Sequence, residues 1–184
     1  MKKIVWIVII TMALVGIYAW SFYNGLVSAN VGVDGQWAQV ETQYQRRLDL
    51  IPNLVSSVKG ILKQEQTIFT ELADARTRYG GAVTVDEKAR AASGVESALG
   101  RLLVVMENYP QLRSAENVTV LMSQLEGTEN RVSVERKRFN DMVQAYNLKT
   151  KTFPGMIMAK LFGFAERPYF ESATGAEKAP EVNL

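Results

Sequence analysis

Hydrophobic positions are arranged in two different ways along the chain, and the first arrangement is a continuous run. Residues 4–23 read IVWIVIITMALVGIYAWSFY, twenty positions without a charge, and Lys2 and Lys3 precede them. At about 1.5 Å rise per residue, a helix of this length reaches roughly 30 Å, the thickness of a bilayer core. Aromatic residues lie near both ends, as in the interfacial belts of spanning helices. The run therefore predicts a transmembrane helix.

The alternative for the same run is a cleaved signal peptide with small residues at 27–29. Apolar regions of signal peptides are usually about 7–15 residues long, shorter than this one. We therefore favour an uncleaved anchor over residues 1–29. Lys2 and Lys3 favour the cytoplasmic side, and no basic residue follows the span until Arg46. This asymmetry predicts a single-pass protein of the cytoplasmic (inner) membrane, with its N-terminus inside and the rest of the chain outside the cytoplasm.

The second arrangement begins near residue 30, where apolar residues recur at steps of three and four. This is the 3.5-residue repeat of a coiled-coil or bundle seam. No comparable stretch alternates with period two, so we predict an all-α fold without a sheet. Three rows carry the repeat: Trp37, Val40, Tyr44, Leu48, Ile51, Val55, Val58, Leu62, Phe69 and Leu72; Val95, Leu99, Leu102, Met106 and Tyr109; and Val118, Leu121, Leu125, Val132, Phe139, Val143 and Tyr146.

Glycine, proline and capping residues mark the expected helix boundaries. Short connections predict antiparallel neighbours, and hence an antiparallel four-helix bundle over residues 30–171. The polar end, residues 172–184, predicts a disordered tail. The expected boundaries are a first helix ending at Gly80–Gly81, a second from the Thr84/Glu87 capping box to Tyr109–Pro110, a third from a Ser114 cap to Lys151, and a short fourth from Pro154 to Phe162.

The segment QRRLDLIPNLV, residues 45–55, interrupts the first row with charges and a proline. Pro52 removes a backbone hydrogen bond and costs about 3 kcal/mol in a helix interior. The apolar phase nevertheless continues through it, whereas a loop would normally reset the phase. We therefore predict one long kinked helix, or two nearly collinear helices joined at 48–52. The Leu48 carbonyl that the proline frees would be satisfied by Asn53 or a water.

Charged side chains interrupt the apolar rows near this joint and on the third helix. They form either a solvated face with a local ion pair, worth about 0.3 kcal/mol, or contacts that set the register of the helices. In the second case Arg46 or Arg47 would pair with Glu129. Arg136 would pair with Glu65 or another acid of the first helix. The candidates for the joint and its register are Arg46, Arg47, Asp49, Pro52, Asn53, Glu129 and Arg136.

Composition removes most catalytic chemistry. The 184 residues include no cysteine and no histidine, and the net charge is only +2. Thiolate nucleophiles, thiolate metal sites and histidine bases are therefore excluded. Neither GxxxxGK[ST] nor GxGxxG occurs, so no phosphate-binding loop is predicted. We expect no enzyme activity, no catalytic residue, no metal site and no cofactor. An enzyme that uses carboxylates or a tyrosine is the less favoured alternative.

Two segments are candidate contact surfaces. Residues 131–151 carry six basic and two acidic side chains, a balance that suits lipid headgroups or acidic proteins. Residues 153–164 are apolar except for one lysine, and they either cap the core or lie on a membrane or partner. Core capping and a solvated basic face are the favoured interpretations. The residues that would touch a partner or membrane are Lys137, Arg138, Met156, Met158 and Phe162.

Several motifs in order resemble the LemA family of bacterial membrane proteins. They are RRLDLIPNLV at 46–55, YPQL at 109–112, LEGTENR at 125–131 and YN followed by FP at 146–154, and the resemblance covers about residues 20 to 170. The resemblance implies an antiparallel helical bundle behind a single membrane span. It implies no catalytic residue, substrate or cofactor, because the family has no established ones.

The sequence thus predicts a non-enzymatic, membrane-anchored helical scaffold or adaptor of the bacterial cell envelope. Its expected partners are membrane lipid, an unknown envelope protein and a second copy of itself, and nucleic acid is not expected. The alternative is a factor that binds or remodels the membrane surface through residues 131–151 and 153–164.

Overall fold

The computed structural model describes residues 2–113 and 115–170, with the side chain of Arg113 left out. The predicted Ser114 cap and the predicted tail at 172–184 lie outside the described residues. The described part contains helices and connecting segments and no strand, which confirms the all-helical prediction. Its helices are α1 (Lys2–Val58), α2 (Gln66–Gly81), α3 (Val85–Glu107), α4 (Pro110–Arg113), α5 (Glu116–Lys151) and α6 (Gly155–Phe162).

Helix α1 continues from the apolar run through Pro52 to Val58. The predicted alternative of two helices joined at 48–52 is therefore wrong, and so is a first helix that reaches Gly80–Gly81. The break lies at residues 59–65, where Gly60 weakens the helix by up to about 1 kcal/mol and a polar stretch follows. Leu62 is fully buried within this break, so the apolar phase survives a turn that the pattern could not reveal.

The start of α3, the end of α5 and the bounds of α6 match the predictions, whereas the short α4 was not predicted. Thr84 Oγ1 accepts a hydrogen bond from the Glu87 amide at 3.2 Å, and Glu87 Oε2 accepts one from the Thr84 amide at 3.0 Å. This reciprocal pair is the predicted capping box at the start of α3. Helix α5 ends at Lys151, and the short α6 follows a cis Phe153–Pro154 peptide bond.

The described residues form two compact units, one from residues 2–38 with 137–169 and one from residues 39–113 and 115–136 with 170. We call them the anchor unit and the core unit. Helices α1 and α5 each contribute to both units. The core unit combines the C-terminal part of α1, α2, α3, α4 and the N-terminal part of α5. The anchor unit combines the N-terminal part of α1, the C-terminal part of α5 and α6.

The core unit is held together by buried apolar side chains from five helices. Tyr44 of α1 is fully buried and stacks on Tyr79 of α2 at 5.3 Å between ring centroids. Helix α2 packs along α3. The predicted rows supply most of the core: Val40, Tyr44, Leu48, Ile51, Val58, Leu62, Phe69, Leu72, Val95, Leu99, Leu102, Met106, Val118, Leu125 and Val132 are buried.

The anchor unit has its own apolar contacts and a pinned segment after α6. Trp37 of α1 meets Phe139 of α5 edge-on, with ring centroids 5.3 Å apart. Asn147 binds the backbone of Arg167 twice, donating to its carbonyl at 2.8 Å and accepting from its amide at 2.9 Å. The Arg167 side chain pairs with Asp34 of α1. These polar contacts hold the chain beyond Gly163 against α5 and α1.

The N-terminal part of α1 is long and apolar enough to cross a membrane. None of its most apolar 18-residue window is buried within the described structure. A core helix of a soluble protein would bury such a surface, so the exposure favours a lipid environment.

Candidate functional site

A cluster of charged and aromatic side chains lies inside the core unit. Arg47 of α1 contacts Glu129 of α5, and Arg136 of α5 contacts Glu96 of α3. Tyr44 of α1 donates a hydrogen bond to Glu96 Oε1 at 2.5 Å. Three helices thus converge on one polar site that is surrounded by apolar residues.

Burial sets the electrostatics of this cluster. Burial lowers the pKa of Arg47, against the opposing charge of Glu96, and burial lowers the pKa of Arg136 to about 10. Burial also raises the pKa of Glu96, an effect that the Arg47 charge partly offsets. The Nε atoms of Arg47 and Arg136 make no hydrogen bond to any described protein atom. Desolvation therefore outweighs attraction at this site, as is common for buried ion pairs.

Aromatic rings surround the Arg136 guanidinium. Its Cζ lies 5.1 Å from the Tyr44 ring centroid and 4.6 Å from that of Phe170. The Tyr44 and Phe170 rings are themselves stacked, with centroids 6.4 Å apart. A desolvated cation over aromatic faces is stabilised by about 1–2 kcal/mol. These rings offset part of the cost of burying the charge.

The structure separates the residues predicted for the joint. Of the two arginines considered, Arg47 is buried and contacts Glu129, whereas Arg46 is exposed. Asp49 is exposed and accepts a hydrogen bond from Gln45 Nε2 at 2.9 Å. The hydrogen bond of Asp49 thus runs along its own helix, as a solvated face requires.

Two further expectations for this region concern Arg136 and the proline. Arg136 pairs with Glu96 of α3, so the predicted pairing with an acid of the first helix is wrong. Glu96 directly follows the seam residue Val95. This position beside a seam was the only feature of the sequence that could have indicated Glu96 as a partner of Arg136. Pro52 is half-buried inside α1, and Asn53 is exposed with its carbonyl accepting from Ser57 Oγ at 2.9 Å. Whether the cluster sets helix register stays a prediction.

A groove runs beside the charged cluster in the core unit. One part has a volume of about 500 Å³ and is lined by residues of α3 and α5 together with Arg47. A second part of about 390 Å³ shares Leu103, Thr119 and Met122 with the first and extends to α4. The apolar lining residues are Leu99, Leu103, Met106, Leu112, Val118, Met122 and Leu125, and the acidic ones are Glu107, Glu126 and Glu129.

The candidate contact surface of the anchor unit is divided between exposed and contacting residues. Lys137 and Arg138 are exposed on α5. Met156 and Phe162 are exposed on α6, and Met158 is half-buried. Phe162 also contacts Tyr23 of α1, with ring centroids 5.0 Å apart. Core capping thus describes only one face of α6.

The described residues contain no group of three or more side chains suited to holding a metal ion. Four carboxylates of the core unit each contact an arginine, lysine or tyrosine side chain. They are those of Glu41, Glu71, Glu96 and Glu129. These contacts can hold the helices in place. The groove beside them presents apolar side chains bordered by acidic ones.

Comparison with known proteins places these features in a family context. The LemA family model matches residues 36–184. The magnetosome protein MamQ 2 of Paramagnetospirillum magneticum is 26% identical over 175 residues, covering 81% of this chain and 64% of the relative. The magnetosome protein MamQ of Magnetospirillum gryphiswaldense is 26% identical over 174 residues, covering 80% of this chain and 64% of the relative. The chain therefore spans less than two thirds of the length of these curated relatives.

Proposed function

The chain belongs to the LemA family, and from this premise we propose that it is a membrane-anchored, non-enzymatic scaffold of the bacterial cell envelope. It would act through protein–protein contacts made by the core unit. The apolar part of α1 supports the membrane attachment, since its exposed side chains need a lipid environment. The ion pairs that connect α5 with α1 and with α3 in the core unit support a structural role rather than a catalytic one.

The groove beside α3 and α5 is the observation that carries this proposal. Its two parts share the lining residues Leu103, Thr119 and Met122. Amphipathic helices bind in grooves of this kind by laying their apolar face on the lining. The exposed carboxylates of Glu107 and Glu126 would attract lysine and arginine beside that face. We therefore propose a basic amphipathic helix of an envelope protein as the occupant.

Site-specific photo-cross-linking of the full-length protein in its own membrane tests this occupant. A photoreactive residue at Met122 lies in the groove, and one at Val134 lies on an exposed position of the same helix α5. We expect a foreign protein to be captured at 122 and not at 134, through a peptide with an apolar and a basic face. The substitution Glu126→Lys should reduce that capture several-fold.

Three results would overturn the groove proposal. Equal capture at 122 and 134 would mean non-specific proximity. Capture that is unaffected by Glu126→Lys would remove the charge argument. Links only to a second copy of the chain would replace the foreign helix by a homo-oligomeric scaffold.

The finer arrangement of the helices and the topology belong to the same proposal. We propose an antiparallel four-helix bundle with coiled-coil-like seams, because the connections between the helices are short. We also propose an inner-membrane protein with its N-terminus in the cytoplasm, on the basis of Lys2 and Lys3. Since the chain lacks cysteine, a single cysteine inserted directly after Met1, which keeps both lysines, and a single cysteine at 131 report topology cleanly. A membrane-impermeant maleimide should label 131 in cells with a permeable outer barrier and the N-terminal cysteine only after lysis, whereas the reverse would refute it.

A second candidate function is binding or remodelling of the membrane surface through residues 131–151 and α6. The exposure of Lys137 and Arg138 on α5 favours it. The test reconstitutes the full-length protein into vesicles that contain phosphatidylglycerol as the anionic lipid. A remodelling factor should change vesicle diameter at low salt, and K137E/R138E should abolish the change. Unchanged vesicles with the wild-type protein would exclude remodelling.

A further inference from the structure

Helix α6 is attached to α1 where the uncharged run ends. Tyr23, the last residue of that run, meets Phe162 at 5.0 Å and Phe164 at 5.7 Å between ring centroids. Gly155 packs so closely that an added Cβ would lie 2.6 Å from Phe22 Cζ and would overlap the Lys149 carbonyl. The start and the end of α6 are therefore both fixed at this level of α1.

The two faces of α6 have different environments. Gly155 and Ala159, four residues apart, are buried and form the attached face. Met156, Ile157 and Leu161 lie on the other side and are 53%, 56% and 72% exposed. Ile157 and Leu161, four residues apart, are neighbours on this side, and Met156 lies at its edge. The exposed face of α6 is thus apolar except for Lys160.

The position of this surface along α1 identifies its environment. If residues 4–23 fill the bilayer core of about 30 Å, then Tyr23 marks the boundary between acyl chains and headgroups. Because α6 contacts the Tyr23 ring through Phe162, it lies at that same boundary. Exposed apolar faces at this depth are characteristic of interfacial helices.

The polar residues around α6 suit the same environment. Lys160 lies between the exposed apolar residues on α6 and can extend its ammonium group toward headgroups while its methylenes stay in the apolar layer. Lys149 is exposed near the end of α5, shortly before α6, whereas Lys151 is exposed but pairs with Glu166. Lysines near an apolar surface attract anionic lipid headgroups.

We infer that α6 is an interfacial helix, lying in the headgroup region of the bilayer that α1 crosses, with Met156, Ile157 and Leu161 facing the acyl chains. The chain then contacts its membrane twice, through a span and through a helix on the surface. This second contact fixes the anchor unit against the bilayer. It goes beyond the scaffold proposal, and it needs only that α1 spans the membrane.

Spin labelling of the full-length protein tests this position without interference, since no native cysteine exists. Single cysteines replace Ile157, Leu161 and, as a control in water, Val104, which is 63% exposed on α3. A fourth label at Leu14 reports the span. The labelled proteins are placed in nanodiscs of phosphatidylcholine and phosphatidylglycerol. Collision with oxygen, which concentrates in lipid, is compared with collision with a water-soluble nickel chelate.

We expect the labels at 157 and 161 to collide mainly with oxygen, at a depth of about 5–10 Å, and the label at 104 to collide mainly with the chelate. Labels at 157 and 161 that match 104 would place α6 in water and overturn the inference. Labels there that are shielded from both reagents would indicate a protein contact and would also overturn it. The label at 14 separates these results from a failure of α1 to insert.

The substitution Gly155→Leu gives an independent check. Its side chain cannot fit between Phe22 and the Lys149 carbonyl, so it should displace α6 from α1. We expect the oxygen preference at 161 to fall at least several-fold while the label at 14 is unchanged. The control Gly100→Leu on α3, where an added Cβ meets nothing within 4 Å, should leave both labels as in the parent protein. Unchanged labels in Gly155→Leu would show that attachment to α1 does not determine the depth of α6.

Discussion

Removal of Glu96 should destabilise the core unit more than removal of any exposed acid. Glu96 accepts from Arg136 and from Tyr44, and truncation to alanine leaves both donors without this acceptor. Breaking a buried pair by removing one partner costs about 3–5 kcal/mol. The side chains of Arg136 and Glu96 keep 16% and 28% of their surface exposed, so we take the lower end, about 3 kcal/mol.

A double-mutant cycle separates the pair from its surroundings. Arg136→Ala leaves Glu96 with the Tyr44 hydroxyl and the nearby Arg47 charge, so we expect a smaller loss of about 2 kcal/mol. The double variant removes both charges and leaves no unpaired charge behind. We therefore expect it to lose about 3 kcal/mol, no more than Glu96→Ala alone. The difference between the summed single losses and the double loss is then about 2 kcal/mol, within the range for contacting residues.

Urea unfolding of the full-length protein in small phosphatidylcholine vesicles, which add no helical signal, is followed by helical circular dichroism and measures these losses. The matched control is the exposed pair of Arg101 and Glu71, which is 2.8 Å long with side chains 60% and 40% exposed. Its coupling should be below about 1 kcal/mol and should fall further in salt. If the Glu96–Arg136 coupling does not exceed that of the control pair, the reasoning from burial is refuted.

Three further predictions concern stability. Thr84→Ala removes the cap of α3 and should cost about 1 kcal/mol of unfolding free energy in the same assay, whereas Thr77→Ala, which loses only a bond to its own helix, should cost less; equal losses would contradict the capping role. Asn147→Ala breaks two bonds to the Arg167 backbone and should cost about 2 kcal/mol and speed proteolysis after Gly163; unchanged proteolysis would show that Asn147 does not hold this segment. Because burial raises the pKa of Glu96, the folded protein binds its proton more tightly than the unfolded chain does, and this contribution to stability is lost as the pH rises through the folded pKa above 4.5. Urea titrations from pH 4.5 upward should show this loss in the wild-type protein relative to Glu96→Gln, and parallel pH profiles would contradict it.

Much of the helical fold was predictable because its signals are local. The capping box at Thr84 and Glu87 and the proline before α6 act within a few residues of the boundary that they set. The break after Val58 was missed, because Leu62 keeps the apolar phase while the backbone turns. A periodic pattern indicates which side chains are buried, but it does not reveal a turn that leaves their spacing unchanged.

The candidate site was less predictable, because its partners come from distant parts of the chain. Sequence patterns singled out Arg47, Glu129 and Arg136 as charges within apolar rows. They could not select Glu96 for Arg136, because α1 and α3 both offer carboxylates and only packing decides between them. Phe170, which covers the same guanidinium, lies outside the helical rows altogether.

The sequence by itself determined a helical chain with an apolar span, the family, and the absence of thiol and imidazole chemistry. These properties follow from composition, periodicity and short-range steric rules. Tertiary structure alone decided that Arg47 is buried while Arg46 faces solvent, and that α6 attaches to α1 by one face and exposes the other. The physical reason is that burial and pairing depend on which helix surfaces meet in the folded protein. The residues next to a position in the sequence do not determine which surfaces meet there.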